Sequence, residues 1–99
     1  MIKRIVKMNL HASQEASFLN IFESVKKEIR SQPGCLSLEV LRHETIGDLS
    51  IWTISTWDAE SSLDQYRSSP LFKQTWSAVK KLFAAPADAW TLTPVETVI

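Results

Sequence analysis

Apolar residues recur at helical spacing in two segments of the chain, and segments of alternating polarity flank both. Each helical segment places four apolar side chains at i, i+4, i+7 and i+11, on one face: Phe18, Phe22, Val25 and Ile29 in the first, and Phe72, Trp76, Val79 and Phe83 in the second. Alternation of apolar and polar residues predicts strands over residues 2–10, 35–43 and 49–57. Residues 88–99 are predicted to form a final strand or an extended tail. The predicted order is therefore β-α-β-β-α-β, with the second helical segment broken in two.

The capping and breaking residues predict where these elements begin and end. Ser13 has the chemistry of an N-cap for the first helix, and Asp58 for the helix after the third strand. Pro70 suits the first turn of the next helix, and Pro86 is expected to end it. Pro94 would need an edge position, a bulge or a strand end, so the tail from Trp90 to Ile99 stays on its own sheet or reaches over a partner.

This order of elements is that of an α+β, ferredoxin-like fold, a single domain over residues 1–99 with the helices on one face of an antiparallel sheet. The other face of such a sheet should be polar in a monomer. Here Trp52 and Ile54 fall on the opposite parity from the main apolar set of their strand, and Cys35 and Leu41 do so in the second strand. We therefore expect a homodimer in which a second copy of the chain covers the open sheet face.

Composition excludes several classes of partner. Eleven Lys and Arg balance eleven Asp and Glu over 99 residues, so neither nucleic acid nor an anionic membrane surface is favoured. No apolar run approaches the roughly 18 residues of a membrane-spanning helix. The lone Cys35 cannot form an intramolecular disulfide, which fits a reducing cytoplasm. Four tryptophans in so short a chain indicate an interface or a ligand cavity.

Residue types for several common chemistries are missing. His11 and His43 are the only histidines, and no His or Cys pair has metal-ligand spacing, so no metal site is predicted. Cys35 has no identifiable base beside it and is interpreted as a small buried packing residue. Two isolated glycines cannot form a phosphate-binding loop. We expect a protein that uses no cofactor.

The stretch from Glu28 through Phe83 resembles the antibiotic biosynthesis monooxygenase family of small dimeric α+β barrels. The resemblance depends on a Pro-Gly turn before the second strand, a Trp (Trp57) that closes the third strand into an Asp-x-Glu helix start, and a Ser-x-x-Phe element from Ser69 to Phe72. It implies that the sheets of two protomers face each other to form the barrel.

Individual positions depart from the patterns of the known branches. The branch that oxidises polyketides has an Asn on strand three, a Trp at its end, a Tyr in the next helix and an Arg in the helix after. Of the residues at those places, only Trp57 matches; the others are Thr53, Leu63 and either Trp76 or Ser77.

Two further branches differ as well. The haem-degrading branch has an Asn, a Trp and a His at the places where this chain has Lys7, Tyr66 and Trp76. Asn9 lies near the first of these places. No His is therefore present to ligate iron. Quinol-oxidising relatives have a His where Tyr66 stands.

Three aromatic residues could wall one slot between sheet and helices: Trp57, Tyr66 and Trp76. The resemblance implies a cofactor-independent monooxygenase that acts on a small aromatic or quinol-type substrate, with Trp57 and Tyr66 catalytic. The predicted substrate-binding residues are Trp76, Phe72, Asn9 and His11. The alternatives are a non-catalytic module that binds a small aromatic ligand and a structural dimer whose tryptophans are core residues and whose tyrosine hydroxyl is satisfied.

Overall fold

A computed structural model describes residues 1–99. Its strands are β1 (Ile2–Leu10), β2 (Cys35–Thr45), β3 (Asp48–Trp57) and β4 (Phe83–Leu92). Its helices are α1 (Glu15–Arg30), α2 (Glu60–Arg67) and α3 (Pro70–Lys80), and a short 3-10 turn (Ala12–Gln14) precedes α1. The four strands form one antiparallel sheet in the order β2-β3-β1-β4, with all three helices packed on one face. This confirms the predicted ferredoxin-like α+β fold.

The main core lies between the helices and the centre of the sheet. In the pairing of β1 with β3, Met8 lies opposite Ile51 and Leu10 opposite Leu49. Alternate residues of the two strands, these four among them, therefore face the helices together. These four side chains are at most 3% exposed and pack with two residues of the helices, Phe18 and Val79. The split of apolar residues predicted for β3 is therefore confirmed, because Trp52 and Ile54 point away from this core.

A second core cluster lies at the end of the sheet where β3 runs into α2. Its buried members are Ile2, Cys35, Trp57 and Leu63, and Tyr66 packs against them. The prediction that Cys35 faces the open side was wrong. The pairing of β2 with β3 shifts register between Cys35 and Ser37, which leaves Leu36 as an extra residue, 48% exposed, and turns Cys35 toward the helices.

Both predicted N-caps were also wrong. Ser13 lies within the 3-10 turn, and the N-cap of α1 is Gln14, whose side chain makes no capping hydrogen bond. The N-cap of α2 is Ala59 rather than Asp58. The Asp58 carboxylate instead accepts a hydrogen bond from Ser62 Oγ at 2.6 Å, one turn into the helix.

The start of α3 is as predicted, whereas its end is not. Pro70 is the first residue of the helix, and Ser69 Oγ caps it by accepting the Phe72 N–H at 3.2 Å. The helix ends at Lys80, six residues before Pro86, and after a two-residue turn the chain enters β4. Pro86 is accommodated because it lies where the pairing of β4 with β1 is irregular, so its missing N–H leaves no regular ladder position empty.

The Pro-Gly turn before β2 is fixed by its contacts with the start of α2. Gly34 has φ +84°, and a Cβ there would collide with the side chains of Asp58 and Ser62. The backbone closes the same contact, since the Asp58 N–H donates to the Gly34 carbonyl at 2.8 Å. The turn therefore locks the end of β3 against β2.

The face of the sheet opposite the helices, here called the open sheet face, remains rich in apolar side chains. Trp52 and Trp90 stack on it with ring centroids 6.3 Å apart, and Lys7 Nζ lies 5.4 Å from the Trp52 ring centre. Ile54 and Leu41 continue the patch on β3 and β2. No helix of the structure is both long and apolar enough to cross a membrane.

Candidate active site

A cavity of about 350 Å³ lies between the helices and the sheet, and 15 of its 20 lining residues are hydrophobic. The lining includes four of the predicted site residues: Trp57, Tyr66, Phe72 and Trp76. The cavity lies on the helix-covered side of the sheet, away from the open sheet face. Its volume falls at the lower end of the range of roughly 300–1,000 Å³ typical of small-molecule pockets.

The aromatic lining residues form one continuous wall. Trp57 and Tyr66 stack with centroids 5.3 Å apart and planes 20° apart, and Phe72 meets the Tyr66 ring edge-on at 5.3 Å. Phe72 then stacks on Trp76 at 6.0 Å. The wall depends on the break between α2 and α3, because the break brings Tyr66, near the end of one helix, against Phe72, in the first turn of the next.

The indole of Trp57 is fully buried, and its N–H is already used. Nε1 donates to Ser55 Oγ at 2.9 Å, two residues back on the same face of β3. Trp57 therefore cannot donate this proton to a ligand. The bond does position Ser55, which lines the cavity and whose hydroxyl donates to no protein atom, so the Ser55 proton is free to face a ligand.

Tyr66 offers the other hydroxyl of the aromatic wall. Its phenol oxygen makes no hydrogen bond to the protein, and since no buried side-chain polar atom of the structure is left unpaired, this oxygen is accessible from the cavity or from solvent. Burial is the main cause that raises the pKa of Tyr66 to about 12, and the charge of Cys35 when ionised is the smaller one. At neutral pH the phenol is therefore protonated and can donate a hydrogen bond, but it cannot act as a phenolate base.

Cys35 has the packing role predicted for it. Its thiol is buried, and burial raises its pKa, although the positive charge of Arg30 and a backbone hydrogen bond of Ser37 oppose the shift. A raised pKa keeps the sulfur as the unreactive thiol. No group of three or more His, Cys, Asp or Glu side chains in the structure is arranged to hold a metal ion.

Two predicted substrate-binding residues do not line the cavity. Asn9 pairs with Ser50 on the parity of β1 that faces the open side, and His11 is exposed just before the 3-10 turn. The opposite parity of β1 lines the cavity through Arg4, Val6 and Met8. The structure therefore places the available polar groups at the other end of the strand.

Sequence reasoning missed Arg4 and Arg67, both of which line the cavity. The signal for Arg4 is present in the sequence, since it is the only charged residue on a parity that otherwise reads Ile2, Val6, Met8 and Leu10. Burial and the like charge of Arg67 lower the pKa of Arg4. Arg67 is the last residue of α2, and no pattern in that short helix distinguishes it from a solvated arginine.

Fold and site together define a small α+β protein with an aromatic-walled cavity between its helices and its sheet. A family model described as antibiotic biosynthesis monooxygenase matches residues 1–77. The chain belongs to that family.

Solved structures share the whole fold at low sequence identity. A crystal structure of an antibiotic biosynthesis monooxygenase superposes with a TM-score of 0.85 at 15% identity, covering 97% of this chain and 100% of the other. Rv0793 from Mycobacterium tuberculosis gives 0.81 at 17% identity, with coverage of 99% and 98%. SnoaB, a cofactor-independent oxygenase from Streptomyces nogalater, gives 0.80 at 18% identity, with coverage of 98% and 96%. No curated protein matches the chain.

Proposed function

We propose that the protein is a cofactor-independent monooxygenase that oxidises a small aromatic or quinol-type substrate in the cavity of each protomer. The observation that carries the proposal is the aromatic wall from Trp57 through Tyr66 and Phe72 to Trp76, beside a cavity with unpaired hydroxyl groups. Membership of the antibiotic biosynthesis monooxygenase family and the likeness in fold to a cofactor-independent oxygenase support it.

The chemistry requires a substrate that becomes an electron-rich anion on losing a proton. In an anthrone, for example, the ring methylene and O₂ give a ring carbonyl and water: one oxygen atom enters the substrate, the other leaves as water, and the substrate supplies all the electrons. The protein then has to orient the ring and stabilise negative charge on oxygen. The aromatic wall orients the ring. The Ser55 and Tyr66 hydroxyls stabilise the negative charge as hydrogen-bond donors, because the Tyr66 phenol stays protonated at neutral pH.

We propose a homodimer formed through the open sheet face as the active species, acting in the cytoplasm. Trp90 is 43% exposed and Leu41 45% exposed on this face, beside Trp52 and Ile54. An apolar patch of this extent on a small protein is typical of an interface. A reducing compartment is consistent with the single free cysteine.

Oxygen uptake with a panel of anthrones and naphthoquinols tests the activity. We expect turnover above the spontaneous rate for at least one of them, and a fall of roughly tenfold or more in kcat for Tyr66→Phe, which removes one donor. Ser61→Ala, an exposed hydroxyl on the same helix, is the matched control and should leave the rate unchanged. No turnover with any member of the panel would overturn the proposal.

A non-catalytic module that binds a small aromatic ligand is the second candidate. Thr53 favours it, because this cavity-lining residue stands where the polyketide-oxidising branch has an Asn. Quenching of tryptophan fluorescence by the same panel without oxygen uptake would support this second function.

A further inference from the structure

Two arginines occupy a cavity wall that is otherwise mostly apolar. Arg4 projects from β1 on the helix-facing side, directly opposite Ser55 on β3. Arg67 ends α2 and lines the same cavity. The two groups are close enough that the charge of Arg67, after the larger effect of burial, lowers the pKa of Arg4. Sheet and helix thus bring two like charges together.

Neither arginine has an acidic partner. The ion pairs of the chain join Glu23 to Lys26, and Glu15 and Glu44 to Arg42, all at the protein surface. The polar contact of Arg4 is with a neutral group: Nη1 donates to Thr91 Oγ1 at 2.9 Å. Burial of Arg4 and the like charge of Arg67, with no counter-ion near either, destabilise the charged form of Arg4, and a bound anion would relieve this cost.

A hydroxyl donor completes the arrangement. Ser55 Oγ accepts the Trp57 N–H and keeps its own proton unpaired. Ser50 on the same strand differs: it accepts the Trp52 N–H at 3.1 Å but also donates to the His43 carbonyl, at 3.4 Å. Of these two serines, only Ser55, which lies opposite Arg4 and lines the cavity with both arginines, has a proton left for a ligand.

We infer that the cavity selects aromatic ligands that carry an ionised oxygen substituent, a carboxylate or a phenolate, and that Arg4 and Arg67 bind this substituent. Guanidinium groups match such oxygens in geometry and charge, and the aromatic wall holds the ring. The inference deepens the proposed function, because it names the substrate class of the same cavity, but ligand selection can be measured without turnover.

The test compares ligands that share one ring system. Binding of naphthalene, 1-naphthol and 1-naphthoate is measured without oxygen by quenching of tryptophan fluorescence. We expect 1-naphthoate to bind roughly tenfold or more tightly than naphthalene, since hydrogen bonds to charged groups are the strong ones. If the phenolate is bound as well, the absorbance of bound 1-naphthol should show its pKa lowered relative to free 1-naphthol.

Variants assign the effect to the two arginines. Arg67→Gln and Arg4→Gln should each weaken 1-naphthoate binding roughly tenfold while leaving naphthalene binding unchanged, and Arg4→Lys should restore part of the loss. Arg67 is exposed, so its variant keeps the test valid if Arg4→Gln fails to fold. Arg42→Gln, which removes a surface arginine paired with Glu15 and Glu44, is the control.

The outcomes separate this inference from the proposed function. Equal binding of naphthalene and 1-naphthoate, or anion selectivity that survives loss of both arginines, would overturn the inference, and the arginines would then merely cover the rim of the cavity with their stems. Oxygen uptake could still occur in that case. Conversely, arginine-dependent selectivity without any oxygen uptake would uphold the inference and overturn the monooxygenase.

Discussion

The two faces of the sheet carry the same local motif with different outcomes. Strand β3 contains Ser-x-Trp twice, and in both copies the indole N–H donates to the serine two residues back: Trp52 to Ser50 at 3.1 Å, and Trp57 to Ser55 at 2.9 Å. On the helix-covered face Trp57 is fully buried and borders the cavity, whereas Trp52 lies on the open sheet face. The comparison shows that the burial and the contacts of each tryptophan depend on whether helices cover its face of the sheet, and not on the Ser-x-Trp motif that the two share.

The largest expected effect is on folding stability. Trp57→Ala empties the centre of the second core cluster and should cost about 3–5 kcal/mol, whereas Trp52→Ala should cost about 1 kcal/mol in the monomer, mainly through the lost stack with Trp90. Urea denaturation of both variants at low protein concentration gives the two values. Similar losses would show that the open face is as well packed as the covered one.

The next effect is on assembly. Ile54→Glu places an unpaired charge in the proposed interface and should convert a dimer to a monomer, because burying such a charge costs about 3–5 kcal/mol. Light scattering measures the mass, and circular dichroism verifies that the variant is folded. Gln65→Glu adds the same charge on the exposed side of α2 and should leave the mass unchanged. A wild-type monomer at micromolar concentration would contradict the proposed interface.

Much of the fold could be predicted because the spacing of apolar residues repeats over the whole length of each strand and helix. The order of elements and the two-sided character of β3 followed from repeated spacing, so single exceptions did not alter them. Cys35 was placed on the wrong face because one extra residue, Leu36, reverses parity, and a bulge leaves no pattern in the sequence. The end of α3 was misjudged because Phe83 continues the helical spacing, although it is paired in β4.

The site was partly predictable for a related reason. Trp57 ends a predicted strand, Tyr66 lies in the helix that follows it, and Trp76 lies on an apolar helical repeat, so the three could be placed near one another. The polar end of the cavity could not be located in the same way. It joins Arg4 from the first strand to Arg67 from the second helix, and only the tertiary fold brings residues so distant in sequence together.

Titration of Tyr66 gives a third test of the covered face. Its pKa is about 12 in the folded chain, raised above an ordinary value of 10.0, so the folded state holds the phenolic proton more tightly than the unfolded state does. This contribution to stability is complete below pH 10 and is lost as pH rises toward 12. Tyr66→Phe should therefore lose less stability over that window than the wild type.

The measurement is direct because the chain contains a single tyrosine. Tyrosinate absorbance should show a midpoint near pH 12 in the folded protein and near pH 10 in urea. A folded midpoint at the ordinary value would mean that the phenol is solvated and that the cavity beside Trp57 is open to water.

The smallest effect returns to the paired serines. Ser50→Ala and Ser55→Ala each leave an indole N–H without its acceptor and should each cost about 1 kcal/mol of stability. Their effects on ligand binding should differ. Ser55→Ala removes a cavity-facing donor and should weaken 1-naphthoate binding several-fold, whereas Ser50→Ala should not, because the Ser50 proton already bonds the His43 carbonyl. Equal effects on binding would mean that the unpaired Ser55 proton does not reach a ligand, and that the two Ser-x-Trp motifs serve only to support their tryptophans.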